Sequence, residues 1–111
     1  GVHMKATATI IDNIADVTVR GIEPSVPGRD IHDVDVRIDT VRGARPVRVQ
    51  IDELWGSHQG YREIYRRRTV VSRGVTVTDA IKTALSRAKD AGLDTGMVHR
   101  AVAEAQSQMD S

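Results

Sequence analysis

Residues 34–52 read VDVRIDTVRGARPVRVQID, and the alternation within them decides the fold. Val34, Val36 and Ile38 take every second position, separated by Asp35 and Arg37 and followed by Asp39. After RGAR (residues 42–45), Val47, Val49 and Ile51 alternate with Arg48, Gln50 and Asp52. Side chains on a strand point alternately to opposite faces, so this is a β-hairpin with one apolar and one charged face. A four-residue loop sets Ile38 opposite Val49 and Asp39 opposite Arg48. One face is then core and the other a mixed-charge solvent face.

Working toward the N-terminus, KATATIIDNIADVTV (residues 5–19) suits a second hairpin turning at Asp12-Asn13, both of which tolerate left-handed conformations. That turn pairs Ile10 with Ala15, Ala8 with Val17 and Ala6 with Val19 on one face. A helix through Ile10, Ile14 and Val17 competes, weakened by the threonines. GIEPSVPGRD (residues 21–30) holds two of the three prolines and reads as a loop. Gly1-Val2-His3-Met4 reads as a cleavage and cloning remnant, so the domain is taken as residues 5–111.

On the C-terminal side, Gly56 and Gly60 are expected to bracket a turn. Then comes GYREIYRRRTVVSRG (residues 60–74), with five arginines, two tyrosines and one acid. A strand places Arg62, Ile64, Arg66 and Arg68 on one side and Tyr61, Glu63, Tyr65 and Arg67 on the other. A helix would group Tyr61, Ile64 and Tyr65, but the β-rich TVVSRGVTV (residues 69–77) favours the strand.

From Thr76 the period becomes helical. Thr76 or Thr78 caps a first helix whose stripe is Ala80, Ile81, Ala84, Leu85, Ala88 and Ala91, ending at Gly92. Asp94 or Thr95 caps a second, burying Met97, Val98, Ala101, Val102 and Ala105. The fold class is α+β: an antiparallel sheet of four to five strands, then a C-terminal helical hairpin packed on one face. The β-rich part covers residues 5–73 and the helical hairpin residues 76–110.

Composition narrows the function. The chain has 111 residues, no cysteine, no phenylalanine and a net charge of +1. Disulfides, Cys-zinc sites and thiol catalysis are excluded. No apolar run approaches the roughly 20 residues of a membrane span, so no membrane partner is expected and a cytoplasmic location is the simplest inference. A thin aliphatic core argues for a homo-oligomer, whose interface would supply further burial.

No G-x-S-x-G, H-E-x-x-H or glycine-rich phosphate loop is present. His32, His58 and His99 fall on an expected loop, turn and helix. DIHDVD (residues 30–35) offers three carboxylates and an imidazole, but Asp33 and Asp35 suit strand entry equally well. The chain is read as non-enzymatic, with no catalytic residue, metal or cofactor.

Charge is polarised along the sequence. Residues 42–73 carry eight basic and three acidic groups, while residues 1–41 carry four basic and seven acidic. The only aromatics, Trp55, Tyr61 and Tyr65, fall within this basic centre. Trp, Tyr and Arg dominate binding hot spots because each joins large contact area to a polar handle. The expected contact residues are Trp55, Tyr61, Arg62, Tyr65, Arg66, Arg67, Arg68 and Arg73, with Arg42 and Arg45 extending the patch. The expected partner is a protein. Nucleic acid is the alternative, with phosphates on the arginines and bases on the rings. Asp35, Asp39, Asp52, Glu53 and Glu63 oppose that alternative by being available to neutralise the arginines. The competing structural explanation is that Trp55 and one tyrosine merely complete the core.

VTVTDAIKTALSRAKDAGLDTGMVHRAVAEA (residues 75–105) resembles the ribbon-helix-helix family of DNA-binding proteins over about the last third of the chain, through Gly92, Arg100 and the apolar stripes. The resemblance implies strand, helix and helix in order. A long β-rich segment stands where that family has a free N-terminal ribbon, so no base-reading residue is carried across.

Overall fold

The computed structural model describes the backbone of residues 2–3, 15–21, 30–59 and 62–109, and the side chains of residues 32–56 and 66–109. In chain order the elements are β1 (Val2–His3), β2 (Ala15–Gly21), β3 (Asp30–Thr40), β4 (Val47–Gln59), β5 (Arg62–Gly74), α1 (Val77–Asp90) and α2 (Thr95–Met109). The long strands β3, β4 and β5 form an antiparallel sheet, and the C-terminal two-helix element packs against it. Across the sheet the order is β1-β2-β3-β4-β5.

The β3–β4 register is the one the alternation demands: Ile38 lies opposite Val49 and Asp39 opposite Arg48. Residues 42–45 make the bend, closed by the Val41 amide donating to the Pro46 carbonyl at 2.8 Å. Gly43 takes a φ of 127°, which a side chain would resist. Val34, Val36, Ile38, Val49 and Ile51 are fully buried on the face that meets the helices.

Corrections fall at several places, and Gly21 and Asp30, expected in the loop, lie in strands β2 and β3. Gly56 does not begin a turn: β4 runs through it to Gln59, with Gly56 between Ile31 and Tyr65. His32 and His58 accordingly lie in strands β3 and β4, not in a loop and a turn. The N-terminal hairpin's residues 5–14, the loop's residues 22–29, and Gly60 and Tyr61 lie outside the described residues. Val2–His3, set aside above as a remnant, pairs with Arg20 and Gly21.

The strand reading of residues 62–74 holds. β5 pairs with β4 of the same chain along its whole length. The strand-helix-helix order that resembles the ribbon-helix-helix family is thus embedded in an intrachain sheet.

Thr76, in an extended conformation, caps α1 through its hydroxyl, which accepts the Asp79 amide at 3.1 Å. At the far end Leu93 N–H reaches the Ala88 carbonyl and Gly92 N–H the Lys89 carbonyl, with Gly92 at φ 76°. This is a Schellman cap, and its paired apolar residues, Ala88 and Leu93, both enter the core. Asp94 caps α2, its carboxylate accepting the Met97 amide at 3.0 Å. The buried residues of α2 are Met97, Val98, Ala101, Val102 and Ala105. α1 closes tightly on the end of β5, where the buried Ser72 hydroxyl donates to the Ala80 carbonyl at 2.6 Å.

Candidate functional site

Register distributes the basic segment over two faces. Trp55 stands opposite Arg66, Glu53 opposite Arg68 and Ile51 opposite Val70. Arg66 and Arg68 therefore share the helix-side face with Trp55. Arg67, opposite Leu54, turns to the other face together with Arg73, opposite Arg48. Arg62 and Tyr65 occupy β5 positions whose side chains are outside the described residues, as is Tyr61 entirely.

Trp55 is 43% exposed, so it does not complete the core. Its indole stacks on the His32 ring, with centroids 3.5 Å apart and planes 15° from parallel. His32 is 4% exposed and Glu53 2%. His32 Nε2 lies 3.0 Å from Glu53 Oε2, and the Asp94 amide donates to the same oxygen at 2.8 Å.

Burial pushes the Glu53 carboxyl upward and is the largest single influence. The Asp94 amide, the His32 ring and the Trp55 indole together outweigh it, so the group sits below its ordinary value. Glu53 is thus a carboxylate, an acceptor only, and the proton between the two side chains sits on His32 Nε2. The chain of contacts runs from the helix joint through a buried charge to an imidazole and out to a half-exposed indole. Its chemical effect is to hold Trp55 in place. Arg68 is steadied in a similar way, its Nη1 donating to the Ala91 carbonyl of the joint at 3.0 Å.

Four carboxylates expected to neutralise the arginines are described, and none pairs with Arg66, Arg67 or Arg68. Asp39 is buried under Arg48, whose Nε donates at 2.8 Å and whose Nη2 makes a second contact, while Arg37 stands 3.8 Å away. That pairing raises the already high Arg48 pKa, the Asp39 hydrogen bond being the main cause. Asp52 accepts from Thr69 and Gln50. Glu53 is engaged as above, and Asp35 lies across from Asp52 on the face away from the helices. Glu63 has no described side chain.

Arg73 does not extend the Trp55 patch. Seven residues along β5 separate it from Arg66, roughly 23 Å at a strand rise of about 3.3 Å. It clasps the β3–β4 loop instead, donating to the carbonyls of Arg45 and Arg42 at 3.0 and 2.8 Å.

In DIHDVD, His32 faces the helices while Asp33 and Asp35 face away, because adjacent strand residues diverge. Among the described residues no group of three or more His, Asp or Glu side chains is arranged to hold a metal. No helix of the described residues is long and apolar enough to cross a membrane.

His32 and Glu53 were not among the expected site residues, yet the phase contained the signal. His32 is in step with Val34, Val36 and Ile38, and Glu53 with Val47, Val49 and Ile51. No family model, no curated protein and no solved structure matches the chain.

Proposed function

We propose that the protein is a small, non-enzymatic binding or adaptor module that engages a protein partner on the Trp55 side of the β4–β5 pair. The working unit is an antiparallel sheet of four to five strands backed by the helical hairpin. One observation carries the reading: an indole 43% exposed is stacked on a histidine that a buried carboxylate holds. A pre-positioned aromatic binds with less loss of side-chain freedom, which is the property of an anchor residue. Arg66 beside it and Arg68 at the joint suit a partner surface bearing carboxylates.

Nucleic acid is the second reading. It is favoured by one specific observation, that neither Arg66 nor Arg67 has a hydrogen-bond or ion-pair partner among the described residues. Both readings are tested by capturing partners from the source cell on wild-type and variant protein, with and without nuclease. The protein reading predicts nuclease-resistant capture that falls at least about tenfold in Trp55→Ala, the cost of an anchor worth about 1.4 kcal/mol or more. The nucleic-acid reading predicts capture abolished by nuclease, lost on replacing Arg66, Arg67 and Arg68 by alanine, and steeply salt-dependent, with a log-log slope of about −2 to −3 for three phosphate contacts. Capture of the same partners by Trp55→Ala at wild-type affinity would refute the first.

A further inference from the structure

The end of β5 remote from Trp55 carries a separate basic feature. The β3–β4 loop, the outer edge of β5 and the flank of α1 enclose an open cleft of about 540 Å³. Arg45, Arg73 and Arg87 all line it, with Gly43, Val71 and Thr83 between them, and no carboxylate is among its described lining residues.

Two of the three guanidinium groups are fixed by neutral acceptors. Arg73 gives two of its five N–H donors to the Arg45 and Arg42 carbonyls. Arg87 gives one to the Val71 carbonyl at 2.6 Å, closing off an outward-pointing group on the sheet edge. Backbone carbonyls orient these forks without cancelling their charge. None of the other N–H groups of Arg73 and Arg87 has a partner among the described residues, nor has the Arg45 side chain. Gly43 keeps the space open: a Cβ there would lie 3.1 Å from Arg73 Nη2, at a φ no ordinary residue favours.

We propose that this cleft binds a phosphate group carried on a small molecule, as a phosphomonoester or a pyrophosphate. Three cations lining one cleft, with no acid among its described lining residues, are better offset by a dianion or trianion than by one carboxylate, and the planar fork matches phosphate oxygens two at a time. The volume falls within the range of small-molecule sites. Nucleic-acid backbone fits less well, because no aromatic ring is among the described lining residues for a base to stack on. The site stands apart from the Trp55 surface and does not depend on how that surface is used.

The test is titration of the full chain with inorganic phosphate and with pyrophosphate, followed by amide chemical shifts and calorimetry. Saturable binding is expected, tighter for pyrophosphate, with shifts confined to residues 41–46, 71–73 and 83–87. Arg45→Gln, whose side chain holds nothing else in place, should weaken pyrophosphate about tenfold, the effect of losing one charge-assisted contact. Arg87→Lys keeps the charge but not the fork and should fall between Arg45→Gln and wild type. Absence of saturation by about 10 mM pyrophosphate, or an unchanged Kd in Arg45→Gln, would overturn the proposal. So would tighter binding of a short 5′-hydroxyl oligothymidylate than of pyrophosphate with the same dependence on Arg45, which would assign the cleft to a polynucleotide backbone.

Discussion

Replacing Glu53 by alanine tests whether the buried carboxylate holds the Trp55 platform together. The side chain is 2% exposed and its Oε2 serves both His32 Nε2 and the Asp94 amide. Removing it orphans both donors, each at a cost of about 1–3 kcal/mol when buried. The Asp94 residue is itself exposed and its amide can regain water, so the lower part of that range applies to it. The expected loss is about 2–4 kcal/mol, measured by urea unfolding. Trp55 is the only tryptophan, so its emission reports on the site directly. With His32 released, the indole should become more accessible to acrylamide in the folded protein.

The pH dependence of the same anchor has a definite sign. The folded Glu53 carboxyl sits below its ordinary value, chiefly through hydrogen bonds that outweigh burial, so the native state favours the charged form. Its contribution is complete above the unfolded value of about 4.3 and is lost as pH falls through the lower folded value. The stability gap between wild type and Glu53→Gln should therefore narrow below about pH 4. A Glu53→Ala variant within about 0.5 kcal/mol of wild type, with unchanged Trp55 quenching, would refute the anchor.

Gly74→Ala should cost about 1–3 kcal/mol in urea unfolding, since a Cβ there would meet the Ala80 backbone nitrogen at 2.6 Å and neither backbone can yield alone. Thr76→Ala should cost about 1 kcal/mol and Thr78→Ala markedly less, because Thr76 is the residue that caps α1. Asp39→Ala should destabilise by about 1–2 kcal/mol through loss of the two-point Arg48 contact. Arg37→Ala, half-exposed and 3.8 Å from the same carboxylate, should stay within a few tenths of wild type.

The elements legible in the sequence were those whose signal is local. The β3–β4 register followed from a period of two around RGAR, and the buried set of α2 from a period near 3.6, because core-facing positions there are all Val, Ile, Met or Ala. Gly56 misled, since a glycine weakens a strand in isolation, yet here pairing with Ile31 on one side and Tyr65 on the other outweighs that preference. Glu53 was misplaced for a related reason. Its charge argued for solvent, while its phase argued for the core, and the partners that satisfy it are 21 and 41 residues away. Long-range satisfaction of a buried charge leaves no mark in a short window of sequence.

Strand alternation alone already divides the arginine run, with Arg66 and Arg68 on one side and Arg67 on the other, although all three were expected in one contact surface. Pairing with β4 sends Arg67 to the face opposite its neighbours, so a flat partner on the Trp55 side can meet Arg66 and Arg68 but not Arg67. β5 is also the outermost strand, and only a partner gripping that edge can reach both faces at once. The geometry therefore links the two readings of the surface to two modes of approach. An acidic protein docking face-on would leave Arg67 solvated, whereas a polyanion following the edge would draw on all three cations. Contact with Arg67, more than the number of arginines, is what separates them.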